Sequence, residues 1–140
     1  MLTRQEIDAA NTVRDEILAD VKRRTGLSFS EVNTGGGCMA LEARLESGHW
    51  IAVTDDALAS LTYRIHFESQ TDEDGERISP LGTYVGVYEN DPETDSWMCS
   101  EEGPLTCVYD DDAYAATIPD MIVAAISQTV GAKVAGAQAI

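Results

Sequence analysis

The second half of the chain has almost no positive charge. Between Asp55 and Asp120, 17 Asp and Glu residues face only Arg64 and Arg77, which leaves 15 net negative charges of the formal −16 carried by all 140 residues. A stretch so one-sided repels nucleic acid and anionic membrane, and it attracts basic surfaces. Long apolar runs are missing too. None approaches the ~20 residues that cross a bilayer, so no membrane span is expected. Histidine is scarce, at two residues, and the three cysteines are scattered. No Cys-x-x-Cys or His-x-x-x-His spacing occurs, which removes the usual zinc sites. His66-Phe67-Glu68 has the His-x-Glu of the zinc deaminases but lacks the Pro-Cys-x-x-Cys that accompanies it. Cys38, Cys99 and Cys107 are odd in number, so a fully paired disulfide framework is excluded. The start Met1-Leu2-Thr3-Arg4-Gln5-Glu6 shows no basic region followed by an apolar one, as a secretion signal would. Reduced thiols and a cytoplasmic location are the expectation.

What is present reads as one globular domain. A hydrophobic content of 44% is that of a packed protein, so the acidity decorates a folded body. Thr3 and Glu6 have the spacing of a capping box, with Leu2 and Ile7 placed as a hydrophobic staple. Ile7, Ala10, Val13, Ile17, Leu18 and Val21 recur every three or four residues, and Lys22, Arg23 and Arg24 precede Gly26. This pattern predicts a helix over about 4–25, its basic end set against the helix dipole. From there to about residue 109 the period is two. Cys38 to Glu46 alternates cleanly, and a three-residue turn at Glu46-Ser47-Gly48 pairs Leu45 with His49 and Ala43 with Ile51. Tyr63, Ile65 and Phe67 alternate with Arg64, His66 and Glu68, which predicts a half-buried strand. Further strands are expected over Leu81 to Glu89 and Leu105 to Tyr109, with a short one at Trp97 to Cys99 inside the acidic loop from Asn90 to Pro104. Ile118, Met121, Ile122, Ala125, Ile126 and Val130 share a helical face. The second helix is therefore expected over about 117–130, opened by Thr117 and Asp120 and stopped by Gly131. Helix, four to six antiparallel strands in a meander, then helix describes an α+β domain.

Few residues are arranged for chemistry. Gly35-Gly36-Gly37-Cys38 offers a ligand turn or a thiol nucleophile. Phosphate loops, however, lead into a helix N-terminus, and this one leads into a strand. The segment from Asp91 to Glu102 places Asp91, Glu93, Asp95 and Glu102 at calcium-loop positions, but Ser96 stands where the sharp turn requires Gly and strands flank it. Asp110-Asp111-Asp112 reads as a solvated strand end. Trp50, Tyr84, Tyr88 and Trp97 are candidates for a pocket or an interface. No catalytic residues, metal or cofactor are assigned.

The stretch from Thr34 to Asp55 has a Thr-Gly-Gly-Gly-Cys turn, an Ala-Leu strand and an aromatic-aliphatic strand ending in Thr-Asp. In these features it resembles small acidic proteins of actinobacterial phages. That resemblance implies a phage accessory protein acting in the host cytoplasm. The composition points the same way, to a non-enzymatic protein that binds a basic protein surface and does not bind nucleic acid directly. Mimicry of nucleic acid would be one such mode. The expected contact groups are Asp72, Glu73, Asp74, Glu76, Asp91, Glu93, Asp95, Glu101, Glu102, Asp110, Asp111 and Asp112. A virion component, or a small-molecule binder or enzyme using the turn at Gly35 to Cys38, is the alternative.

Overall fold

A computed structural model of the chain describes residues 2–97 and 103–130. Helix α1 spans Arg4–Thr25, and its start is the expected capping box: Thr3 Oγ1 accepts from Glu6 N while Glu6 Oε1 accepts from Thr3 N. Gly26, at φ 79°, ends it in the left-handed conformation. The basic last turn serves packing as well as the dipole. Arg23 pairs with Asp20, and Arg24 bridges Asp20 to Asp120 at the far end of the chain.

Five strands follow in a simple meander: β1 Ser30–Gly35, β2 Cys38–Arg44, β3 Trp50–Asp55, β4 Thr83–Tyr88 and β5 Thr106–Asp110, each antiparallel to the next. The first hairpin closes at Gly36 and Gly37, with φ 60° and 86°. A two-residue turn of type I′ needs positive φ at both positions, which is why glycine stands there. The second hairpin has the expected register, Ala43 opposite Ile51, and Leu45 N donates to His49 O at 2.8 Å. That register puts Leu41, Ala43, Ile51, Val53, Val85 and Val87 on one face. There they join Ile17 and Val21 of α1 and Met121 and Ile122 of the last helix in the main core.

The expected strand at Tyr63 to Phe67 is instead helix α2, Leu61–Glu68. Ser60 Oγ caps it from Tyr63 N, and the buried residues Leu61, Arg64, Ile65 and Glu68 lie at helical spacing. Alternation over five residues is compatible with either period, because Tyr63 and Phe67 are also four apart. The alternation placed Ile65 correctly inside but not its neighbours: Tyr63 is 51% exposed, whereas Arg64 is 2% exposed.

The last described element is α3, Ile118–Val130, entered through a 3-10 turn at Ala115–Thr117. Thr117 does not cap it through the expected Thr117–Asp120 pair. Its hydroxyl donates to Tyr114 O, and Asp120 is taken by Arg24. Helix α3 lies on β4 and β5, and α1 packs against α2 and α3. The three helices therefore cover one face of the sheet. The short strand expected at Trp97 to Cys99 and the stop at Gly131 fall outside the described residues, except for Trp97.

Candidate interaction surface

The acidic loops are shaped by one local device. Asp72 Oδ1 accepts from Asp74 N, Asp91 Oδ1 from Glu93 N, and Asp110 Oδ1 from Asp112 N, each at 2.9 Å. Such Asx turns fix the backbone with the first carboxylate and leave the following ones in solvent. Asp72 also accepts from Glu76 N at 2.9 Å, and an isolated bridge pairs Thr71 with Arg77 below the turn. An Asp91–Ser96 bridge closes the second loop. Its Asp95 carboxylate meets Arg44 at 2.7 Å.

The topology separates these loops. Asp110–Asp112 lies at the end of the sheet where β4 begins, since Thr83 pairs with Asp110. Asp91, Glu93 and Asp95 follow the other end of β4, about 17 Å away at the rise of an extended strand. The turn from Asp72 to Glu76 follows α2 on the helical side. The residues expected to form the contact surface therefore occupy separate corners. Glu101 and Glu102 lie outside the described residues.

The outer face of the sheet carries a second, smaller cluster, in which Trp97 packs on Ala40 and Ala52 beside Trp50 and Tyr88. Trp97 Nε1 donates to Glu42 Oε1 and Trp50 Nε1 to Asn90 Oδ1, both at 2.8 Å. Arg44 stacks over Trp50 at 4.8 Å. Further along this face Tyr84 and Tyr109 are cross-strand partners with ring centroids 4.4 Å apart, and they are 44% and 48% exposed. A Cβ at Gly82 would overlap both Asp56 Oδ2 and the Tyr109 hydroxyl, so these two groups converge there. The Tyr109 phenol is held above its ordinary value, by desolvation first and then by Asp56, Tyr84, Asp111 and Asp110. Tyr109 did not stand out in the sequence, because only the β4–β5 register sets it beside Tyr84.

Nothing lies within 4 Å of a Cβ built at Gly35, Gly36 or Gly37, so the turn is an open hairpin tip. The histidines are engaged elsewhere: His49 Nδ1 meets Ser47 Oγ at 2.8 Å, and His66 faces Glu6 at 3.5 Å. Cys107 sits on the outer face, its thiol pushed up by burial. A groove of about 460 Å³ between α1, α2 and the 3-10 turn is floored by Val13, Ile17, Ile65 and Pro119, and its lining holds no His or Cys.

Sequence reading missed a buried ion network. Arg64 Nε meets Glu68 Oε2 at 2.9 Å and Nη1 faces Asp55 Oδ2 at 3.5 Å, while Nη2 donates to Ala113 O at 2.8 Å and Leu81 O at 3.3 Å. The carboxylates are also filled, Glu68 by Ala115 N and Asp55 by Ala57 N and Ala59 N. Every polar group has a partner, which marks the network as a tie between α2, β3 and the segments flanking β4 and β5. The Arg64–Glu68 spacing of four was its only sequence signal. The cavity beside it, about 20 Å³, has room for about one water.

No protein-family model, curated protein or solved structure matches the chain. Among the described residues no helix is long and apolar enough to cross a membrane. Asp110, Asp111 and Asp112 place ligand atoms within 4.8 Å of one another.

Proposed function

We propose that this protein is a non-catalytic interaction module whose partner is a basic protein surface. The observation that supports the reading best is the set of acidic loops, each ordered by its own Asx turn and presenting carboxylates to solvent. Ordered charge costs less conformational entropy on binding than charge on a floppy tail. Of the carboxylates in these loops, Asp95 is taken by Arg44. If the resemblance to phage proteins holds, the partner belongs to the host. A partner that normally holds nucleic acid would then be occupied by carboxylates in place of phosphates.

Affinity capture at about 20 mM and about 300 mM salt tests this, since screening weakens steering between exposed charges. Basic proteins should be retained at the lower salt and released at the higher. Three amide variants accompany the wild type, covering residues 72–76, 91–95 and 110–112. Asn at Asp72, Asp91 or Asp110 keeps the oxygen that accepts from the backbone, so each loop should hold its shape. At least one variant should lose the captured protein. If all three capture as the wild type does, the charge serves solubility and the reading is wrong.

A further inference from the structure

We infer that the outer face of β4 and β5, at the Asp110 end, is a docking surface for an arginine-rich segment of a partner protein; the inference rests on the reading above. Two neighbouring tyrosine rings, tilted 43° to each other and each about half exposed, present adjoining electron-rich faces. Asp56 reaches the edge of the pair over Gly82, and Asp110 and Asp111 act on the same phenol. Rings and carboxylates side by side suit a guanidinium, which stacks its plane on the ring and turns its N–H groups toward the anions. A lysine ammonium presents no such plane.

The protein satisfies its own arginines in this way. Arg44 stacks on Trp50 at 4.8 Å while meeting Asp95 at 2.7 Å, and Arg77 stacks on Tyr114 at 4.1 Å. The Tyr84–Tyr109 pair offers the same two receptor groups. Every arginine of the chain is engaged elsewhere: Arg4, Arg14, Arg23 and Arg24 by aspartates, Arg64 in the core, Arg44 and Arg77 on other rings. The guanidinium that completes this site therefore comes from another molecule, and the charge balance favours a basic one.

The test is a titration of isotope-labelled protein with an oligo-arginine peptide and an oligo-lysine peptide of equal length, followed by NMR at low salt. Shifts should centre on Tyr84, Tyr109 and the 110–112 amides. The arginine peptide should bind roughly two- to fivefold more tightly than the lysine peptide, the range of an exposed cation–π contact. Tyr109→Leu should erase that preference and Tyr109→Phe should keep it, with Tyr84→Leu as the second variant should Tyr109→Leu disturb the fold. Equal affinities, or shifts centred on residues 72–76 or 91–95, overturn the docking site and leave the broader reading standing. No binding of either peptide overturns both. Self-association through this face, seen as concentration-dependent shifts without peptide and a dimer in sedimentation, assigns it to a second copy and also overturns the inference.

Discussion

Arg64 ties together parts of the fold that are distant in sequence. It is 2% exposed and its guanidinium reaches Asp55, Glu68 and two backbone carbonyls. A buried ion pair contributes little net stability when compared with an apolar replacement of the whole set. Here that replacement is blocked, because Asp55 and Glu68 also hold the backbone N–H groups of Ala57, Ala59 and Ala115. Removing the cation strands two carboxylates that cannot themselves be given up. Arg64→Met should therefore cost about 3–5 kcal/mol in urea denaturation, a large share of the ~5–15 kcal/mol typical of a domain. Arg64→Lys should recover only part, since one ammonium cannot span the acceptors around a planar fork. A cost below about 1 kcal/mol for Arg64→Met would show the network to be dispensable.

Among the elements, α1 carries its own pH dependence. The Glu6 carboxylate lies below its ordinary value near 4.5, chiefly because it accepts from the Thr3 backbone N–H, then through the Thr3 hydroxyl, with His66 adding a smaller effect. A depressed folded-state value means the charged cap stabilises above pH 4.5 and loses that effect as pH falls below it. Glu6→Gln should therefore melt below the wild type at neutral pH, and the two melting curves should converge in acid. A gap that persists at low pH would trace it to packing. This helix was legible because capping box, periodicity and glycine stop are all local, and so was the Ala43–Ile51 register, which one turn fixes. Helix α2 was not. Its five alternating residues fit two periods, and the choice was made by Arg64 finding Asp55, Ala113 and Leu81 across the fold. The Tyr84–Tyr109 pair was hidden for the same kind of reason. Tyr84 could be singled out in its strand, but its neighbour is set by the long β4–β5 connection. The acidic loops were readable as charge, whereas their distribution over separate corners follows from topology alone.

At the scale of the whole molecule the formal −16 acts on the fold as well as on any partner, and with opposite sign. The screening length is about 30 Å at 0.01 M salt and about 8 Å at 0.15 M. The loops lie at the two ends of β4, a strand about 17 Å long at the rise of an extended chain. In dilute salt each feels the other, and self-repulsion weighs against the compact state. At physiological salt they are nearly independent. The melting temperature should therefore rise as salt is raised from about 0.01 to about 0.15 M and then level off. Amide variants at residues 91–95 and 110–112 should each raise it at low salt. Their effects should combine additively at the higher salt and less than additively at the lower, as expected when coupled sites become independent. A melting temperature that falls with salt would mean that ion pairs such as Arg24–Asp120 outweigh the repulsion. Salt that strengthens the fold should at the same time weaken capture of a basic partner. Loss of binding in the salt series can therefore not be ascribed to unfolding, and the two roles of the charge separate in one set of measurements.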